Sequence, residues 1–251
     1  MAALTALLPD GPANRPPVIL IHGAANSALV WTFWQCELVA AGWPTYALDL
    51  RGHGRQDEND PIDLSRTSMH DYASDVRALT EQLARRPVLV GWSMGGLVAL
   101  MGAASGLALA CVALAPSLPA RAEDPSIEPR AGEFGPEEYG ITSRDPNNQP
   151  AMPDLDAQER AIALASLGRE SRLARDERRR GIVVERLSCP LLLITGSLDL
   201  QWSAERYDAI WLEADRLEAE GASHWGLVLN GRAITRLVPS VLAWLCGASA
   251  V

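Results

Sequence analysis

Lysine is absent from this chain of 251 residues, and all 22 of its basic residues are arginine. We attribute this absence to coding bias rather than to function. The acidic residues outnumber the arginines and give a formal net charge of −9. Because such a charge opposes nonspecific attraction to the phosphate backbone, we expect no nucleic-acid partner.

Long hydrophobic runs are also missing. Hydrophobic residues make up 48% of the chain, yet no apolar stretch approaches the roughly 20 residues that a membrane-spanning helix needs. The first eight residues contain no basic residue before their short apolar stretch, which a secretory signal would require. We therefore expect a soluble, cytoplasmic protein with no membrane partner.

Cysteine is scarce and scattered. The four cysteines, Cys36, Cys111, Cys189 and Cys246, show neither the C-x-x-C spacing nor the clustering of a metal site. This pattern predicts free, buried thiols in a reducing compartment, without a disulfide framework or a zinc site. The length of the chain fits one sizeable core.

A strand, a turn and a helix are predicted around one serine. The apolar run at residues 87–90 (PVLV) leads into residues 91–95 (GWSMG), and a stretch of small helix-forming residues comes next. This order is typical of a nucleophile elbow, in which a strained turn exposes the serine at the carboxyl edge of a sheet. Side chains at Gly91 and Gly95 would collide with neighbouring backbone. We predict that Ser93 is a nucleophile, although the pentapeptide alone also fits an ordinary glycine-rich turn.

A serine hydroxyl needs a base, and the chain has four histidines. His22, His53 and His70 precede Ser93, whereas this arrangement uses the chain order serine, acid, histidine. His224 alone follows that order, in a turn-rich loop before the last helical stretch. We predict that it is the base; the alternative is a surface-loop imidazole.

The acid is expected between the serine and the histidine. Residues 190–195 (PLLLIT) form the most strand-like run of the second half, and the turn after them contains Asp199. A carboxylate there would accept the Nδ1 proton of His224 and fix its tautomer. The alternative role for Asp199 is to cap the following helix. Glu123 and Asp124, after the strand that follows the elbow helix, are the fallback acids.

An oxyanion hole requires two backbone N–H groups. The residue after the nucleophile, Met94, is expected to supply one of them. The other is expected from Ala24, in the loop that follows the strand at residues 17–21. Gly23 permits the necessary turn, and we predict that His22 supports this loop rather than transferring protons.

Five segments in this order resemble the α/β-hydrolase superfamily, in its small bacterial esterase-like branch. They are residues 22–23 with Trp31 after them, residues 47–54 (ALDLRGHG), residues 91–95 (GWSMG), residues 196–199 (GSLD) and residues 221–224 (GASH). The resemblance implies a single α/β domain with a mostly parallel sheet and helices on both faces. Because only sixteen residues precede the first clear strand, which begins at residue 17, we expect the antiparallel strands that often begin this fold to be reduced or missing.

Alternating elements support the same fold class. Strands are predicted near residues 17–22, 44–49, 87–92, 109–115, 190–196 and 214–219. Helices are predicted near residues 29–41, 70–85, 94–106, 204–211 and 231–246.

Residues 118–187 break the alternation and are predicted to form a short cap inserted into the core of residues 1–117 and 188–251. The first half of this segment is rich in proline and glycine and is expected to be loop. Residues 155–180 are expected to be largely helical, with Gly168 a candidate interruption.

Six arginines near the end of the cap are candidates for binding an anionic substrate: Arg169, Arg172, Arg175, Arg178, Arg179 and Arg180. The interleaved acids Glu170, Asp176 and Glu177 favour the alternative, a solvated helix face with paired charges.

Three tryptophans near the motifs, Trp31, Trp202 and Trp225, are predicted to line an apolar, aromatic pocket. Core packing is the alternative for Trp31 and the favoured role for Trp92. We predict a serine hydrolase that cleaves a small carboxylic ester and needs neither a metal nor an organic cofactor. Lactone hydrolysis and carbon–carbon bond hydrolysis are alternatives with the same side chains, and a ligand-binding receptor with little turnover is an alternative of another class.

Overall fold

The computed structural model describes residues 3–11, 14–54 and 62–248 of the chain. The strands of this part are β1 (Leu4–Leu7), β2 (Val18–Ile21), β3 (Thr45–Leu48), β4 (Val88–Trp92), β5 (Ala110–Leu114), β6 (Glu133–Phe134), β7 (Glu170–Ser171), β8 (Leu191–Gly196) and β9 (Asp215–Ala219). Seven of them form one sheet in the order β1-β3-β2-β4-β5-β8-β9, and β6 pairs with β7 in a small second sheet.

The helices of the same part are α1 (Thr32–Ala40), α2 (Met69–Gln82), α3 (Met94–Ala104), α4 (Ala157–Ser166), α5 (Arg172–Arg180), α6 (Gly226–Leu229) and α7 (Gly231–Gly247). Two of them begin with reciprocal caps. Ser68 and Asp71 cap each other's backbone N–H at the start of α2, and Asp156 and Glu159 do the same for α4.

Helices cover both faces of the main sheet, as predicted. Alternate residues of a strand point to opposite faces. Leu20 and Val90 accordingly share an apolar cluster with residues of α1 and α7. Ile19 and Leu89 belong to the cluster on the other face, with residues of α2 and α3. Within the main sheet, the strands other than β1 pair in parallel, so that their carboxyl ends meet at one edge.

One antiparallel strand begins the sheet. The four residues of β1 pair antiparallel with β3, in the register that places Leu4 beside Leu48. All four side chains of β1 are exposed. The expectation of a reduced antiparallel start is therefore confirmed.

Two sequence predictions of helices need correction. The helix predicted near 204–211 is a single 3-10 turn at Ala204–Tyr207. Its apolar residue Tyr207 packs into the core, and its side-chain hydroxyl donates to the carbonyl of Pro116, so that tertiary contacts replace helical ones. The helix predicted near 29–41 begins as a 3-10 turn at Ala28–Trp31 before α1.

The segment 118–187 contains two helices separated at the predicted interruption. Helix α4 ends at Ser166, Gly168 follows, and β7 leads into α5. The N–H of Gly168 donates to the carbonyl of Ala25, which joins this segment to the core (2.9 Å).

All four cysteines are free, but only Cys111 is fully buried, whereas Cys36 and Cys246 are exposed. The prediction that all of them are buried is wrong for these two. Among residues 3–11, 14–54 and 62–248, no helix is both long and apolar enough to cross a bilayer.

Candidate active site

Ser93 occupies the sharp turn between β4 and α3. Its backbone has a φ of 55° and a ψ of −119°, a combination that residues with a side chain rarely adopt. The N–H of Ser93 donates to the carbonyl of Leu114 at the end of β5, and its carbonyl accepts the N–H of Ser117 (both 2.9 Å). The neighbouring strand and the loop after it therefore hold the strained turn in place.

The two glycines beside Ser93 are sterically required. A Cβ on Gly91 would lie 2.1 Å from the carbonyl oxygen of Gly95. A Cβ on Gly95 would lie 2.2 Å from the carbonyl oxygen of Ile21 on β2. Backbone atoms are the obstacle in both cases, so a side chain at either position would displace the turn. This is the collision that the sequence predicted.

Asp199 lies in the turn after β8 and contacts His224. Its Oδ2 is 2.6 Å from Nδ1 of the imidazole. Its Oδ1 accepts the N–H groups of Gln201 and Trp202 (3.2 and 3.0 Å). One carboxylate oxygen therefore contacts His224, and the other closes a local turn. The alternative role as a helix cap is wrong, because the 3-10 turn that follows begins after Ser203 and has no side-chain cap.

The pKa of Asp199 reflects opposing causes. Burial raises the pKa of this carboxyl group, but the hydrogen bond and the charge of His224, with the two backbone donors, outweigh burial and lower it overall. Asp199 is consequently ionised near neutral pH. Its charge favours a proton on Nδ1 of His224 and leaves Nε2 as the basic nitrogen.

Aromatic rings surround His224. The ring of Trp92 lies 5.0 Å from the imidazole between centroids, and Trp202 stacks at 6.3 Å with an interplanar angle of 25°. The indole N–H of Trp92 donates to the backbone carbonyl of His224 (3.0 Å). Trp92 is buried, as predicted, and it also fixes the loop that carries the imidazole.

One cavity of about 520 Å³ brings most of the predicted residues together. Its wall includes Ser93, Asp199, His224, Ala24, Trp202 and Trp225. The other predicted oxyanion residue, Met94, is the first residue of α3 and is buried directly behind the turn. This volume is typical of a pocket for a small molecule.

Trp31 lies elsewhere. Its ring is fully buried and packs edge-on against Trp34, with 5.9 Å between centroids. The sequence predicted a place for Trp31 in the pocket wall, and the structure places it in the core instead. The 3-10 turn before α1 directs this side chain into the apolar cluster beneath the helix.

His22 supports the loop after β2. Its Nδ1 lies 2.8 Å from the carbonyl oxygen of Gly23, and its Nε2 accepts the N–H of Leu50 (3.1 Å). Complete burial, together with the nearby His53, lowers the pKa of His22 to about 3. The imidazole is therefore neutral, and both of its nitrogens are occupied by backbone groups, in agreement with the predicted supporting role.

The fallback acids lie outside the cavity wall. Glu123 is exposed and pairs with Arg180 (2.6 Å). Asp124 accepts the N–H and the hydroxyl of Ser126 in a local turn (2.9 and 2.6 Å). Neither residue is the hydrogen-bonding partner of His224, which is Asp199.

A buried carboxylate that sequence reasoning missed lies beside the oxyanion loop. Glu170 is completely buried, and its Oε2 accepts the N–H of Ala25, next to Ala24 (3.0 Å). Its Oε1 accepts the hydroxyl of Tyr72 (2.6 Å), and His53 Nε2 lies 3.3 Å from Oε2. We predicted from the sequence that Glu170 pairs with the arginines near it in the chain. Its hydrogen-bonding partners Tyr72 and Ala25 lie about 100 residues or more away, and no local pattern indicates them.

Burial and charge compete within this cluster. Burial raises the pKa of Glu170, but the nearby charge of His53 outweighs burial and brings the pKa to about 2. Burial lowers the pKa of His53, but the charge of Glu170 opposes burial, and the net effect is a raised pKa. The two residues therefore form a buried ion pair that joins segment 118–187 to the core.

The arginines of α5 pair with acids mostly outside their own helix. Arg172 and Arg175 both contact Glu138, and Arg130 contacts Asp176 of the helix. Of the acids predicted as partners, Glu177 instead accepts the N–H of Met69. The prediction of a solvated helix face is confirmed for Arg179, which is exposed. Arg178, in contrast, lines the cavity.

Comparison with known proteins agrees with this geometry. A model of the alpha/beta hydrolase family matches residues 18–237. The chain is 30% identical over 200 residues to pimeloyl-[acyl-carrier protein] methyl ester esterase of Pectobacterium atrosepticum, which covers 77% of this chain and 69% of that protein. It is 35% identical over 97 residues to human protein phosphatase methylesterase 1, which covers 38% of this chain and only 25% of the methylesterase.

Two solved structures share the fold. A thermophilic esterase from Thermogutta terrifontis superposes with a TM-score of 0.72 at 20% identity, covering 98% of this chain and 93% of that one. A monoacylglycerol lipase from Paleococcus ferrophilus superposes with a TM-score of 0.68 at 23% identity, covering 99% and 100% of the two chains. At these identities the likeness extends to the fold alone.

Proposed function

Because the chain belongs to the alpha/beta hydrolase family, we propose that it hydrolyses a small carboxylic ester through Ser93, His224 and Asp199. The observation that carries the proposal is the hydrogen bond between Asp199 and His224 in the wall of the cavity that also contains Ser93. A carboxylate that orients an imidazole, in the same cavity as a strained serine, is the combination that activates a hydroxyl group for acyl transfer.

The first half of the reaction acylates the serine. Nε2 of His224 takes the hydroxyl proton as Ser93 Oγ attacks the ester carbonyl, and Asp199 stabilises the resulting imidazolium. The carbonyl oxygen becomes an oxyanion. His224 then gives the proton to the departing alcohol as the carbon–oxygen bond breaks, which leaves an acyl group on Ser93.

The second half releases the acid. His224 takes a proton from water, the hydroxide formed attacks the acyl carbonyl, and the proton returns to Ser93 Oγ as the serine leaves. No step in this sequence calls for a redox partner.

The oxyanion is stabilised by backbone N–H groups of Met94 and Ala24. Met94 is the first residue of α3, where an amide has no acceptor within its own helix and the helix dipole is positive. Ala24 is held in place by its neighbours: Nδ2 of Asn26 donates to its carbonyl, and Glu170 accepts the next N–H along the chain. Removing one such donor typically costs roughly 100- to 1,000-fold in kcat.

The leaving group is a small alcohol in this proposal. Both relatives compared above are named for methyl esters. The cavity of about 520 Å³, with Trp202 and Trp225 in its wall, suits a compact, partly apolar acyl group.

The test is hydrolysis of short-chain p-nitrophenyl esters by the wild type and by matched histidine variants. His224→Gln is expected to abolish turnover, whereas His70→Gln, at an exposed position of α2, is expected to leave it unchanged. Turnover that persists in His224→Gln would contradict the proposal. Parallel assays with a lactone and a diketone separate ester cleavage from the two reactions that use the same side chains.

A further inference from the structure

One arginine of α5 lies in the same cavity as Ser93. Arg178 is part of its wall, together with Tyr139 and Glu138 from the turn that follows β6. The arginine is partly buried, and its charge sits beside an apolar surface that includes Ile141 and Leu167. A guanidinium group in such a place is costly unless it has partners of opposite charge.

Most of the donors of Arg178 have no acceptor in the described part of the chain. Its Nε donates to the carbonyl of Ala174 at 3.4 Å, and its Nη2 donates to the hydroxyl of Tyr139 at 3.2 Å. A guanidinium carries five N–H donors in a planar fork, so three remain for a ligand. Both acceptors that it does have are uncharged.

Nearby carboxylates are already engaged by other groups. Glu138, on the cavity wall, binds Arg172 and Arg175. The oxygens of Glu170 are occupied by Tyr72, Ala25 and the other partners described above. Among residues 3–11, 14–54 and 62–248, no carboxylate lies within 4.0 Å of the Arg178 guanidinium. The other arginines of α5 do have a carboxylate within this distance: Arg172, Arg175, Arg179 and Arg180.

Arg178 adds a positive charge to this side of the cavity. Glu138 is already paired with Arg172 and Arg175, and the buried carboxylate of Glu170 acts on Arg178 without an ion-pair contact, in a chain whose formal charge is −9. A cationic side chain in the cavity of an acidic protein attracts anionic ligands to that position.

We propose that the substrate of Ser93 carries a carboxylate, and that Arg178 binds this carboxylate while the ester reaches Ser93. The inference rests on the proposed ester hydrolysis and specifies its substrate class: half-esters of dicarboxylic acids and similar anionic esters. Arg178 donates two parallel N–H groups to the two carboxylate oxygens, and Tyr139 fixes the orientation of the fork.

The first test compares two esters that differ only in the terminal group, mono-p-nitrophenyl glutarate and p-nitrophenyl valerate. The wild type is expected to prefer the glutarate in kcat/KM, and this preference is expected to weaken as salt increases. In Arg178→Met the ratio of the two kcat/KM values is expected to fall by roughly 10- to 100-fold. In Arg178→Lys, which keeps the charge without the fork, an intermediate ratio is expected.

Arg179→Met is the matched control, since Arg179 is the next residue of the helix and is exposed. This variant is expected to keep the ratio of the wild type. An unchanged ratio in soluble, folded Arg178→Met and Arg178→Lys, or a wild type that prefers the valerate, would overturn the assignment of Arg178.

The second test measures binding without turnover, by calorimetric titration of Ser93→Ala with glutarate and with inorganic phosphate. Glutarate is expected to bind, and the double variant Ser93→Ala, Arg178→Met is expected to lose this binding. Phosphate binding more tightly than glutarate would contradict a carboxylate site.

The two tests separate the two proposals. Hydrolysis that depends on Ser93 but has an unchanged ester ratio would refute the role of Arg178 alone. Glutarate binding that depends on Arg178, in a protein that cleaves neither ester, would refute the proposed hydrolysis and retain the carboxylate site.

Discussion

The sheet and helix α5 of segment 118–187 are held in place by different forces. Every residue of β4 and β5 is buried, and so are the residues of α3 from Met94 to Ala103. In α5, by contrast, Ala174 and Asp176 are the buried residues, and ion pairs link this helix to its neighbours. Apolar burial contributes much more stability per residue than exposed ion pairs do.

In our proposal, the two regions have different functions in the site. Ser93, Asp199 and His224, which carry out the reaction in our proposal, lie on loops at the edge of the apolar sheet and line one cavity. Arg178 lies on the charged helix α5, where substrates are distinguished in our proposal. Glu170 connects the two regions, because it belongs to the segment and accepts the N–H of Ala25 in the core.

The largest expected effect is on the rigid side of this comparison. Asp199→Asn is expected to lower kcat by roughly 10⁴-fold, because an amide favours the wrong tautomer of His224. Steady-state hydrolysis of a p-nitrophenyl ester measures it. Glu123→Gln and Asp124→Asn serve as controls, with rates expected near that of the wild type. If kcat fell sharply in either control while Asp199→Asn kept a normal kcat, the orienting acid would have to be reassigned to that control residue.

An intermediate effect, on stability, is expected at Glu170, which connects the segment to the core. Glu170→Gln leaves the charge of His53 buried without its partner and is expected to lower the free energy of unfolding by about 3 kcal/mol near pH 5.5. Urea denaturation measures it, with Glu133→Gln as the control, whose carboxylate forms a more exposed pair with Arg169.

The pH dependence of that difference has a definite sign. The folded-state pKa of Glu170 is depressed from 4.5 to about 2, so its contribution is present above pH 4.5 and is lost as the pH falls toward 2. The folded-state pKa of His53 is raised above 6.5, so its contribution is present below pH 6.5 and is lost as the pH rises through that higher value. A gap between the two proteins that widens toward pH 2 would contradict the buried pair.

The smallest effect is expected on the exposed face of the charged segment. Arg180→Met removes the pair with Glu123, in which both side chains are more than one-third exposed, and is expected to change the free energy of unfolding by less than about 1 kcal/mol. The same denaturation measurement detects it. A loss as large as that in Glu170→Gln would mean that exposed and buried pairs hold the segment equally.

Sequence reasoning located the residues at the edge of the sheet better than those that depend on distant contacts. Ser93, Asp199 and His224 each follow a strand or turn with a local signature, so their places at the sheet edge could be predicted. The buried role of Glu170 could not, since its partners are distant in sequence. Trp31 was assigned wrongly because nearness to a motif in sequence does not determine which way a side chain points.

The cavity position of Arg178 was only an alternative in the sequence analysis. Six arginines were candidates for binding an anionic substrate, and the interleaved acids favoured a solvated helix face instead. Which arginine lines the cavity depends on how α5 packs against the turn with Tyr139, and this is a tertiary contact.

The most direct test of the central claim is labelling with a serine-reactive phosphonate, followed by mass spectrometry of the digested protein. The wild type is expected to gain one adduct, on the peptide that contains Ser93, and Ser93→Ala is expected to gain none. Asp199→Asn is expected to label much more slowly than the wild type. Folded wild-type protein that stays unlabelled, or an adduct that persists in Ser93→Ala, would contradict the assignment of Ser93 as the nucleophile.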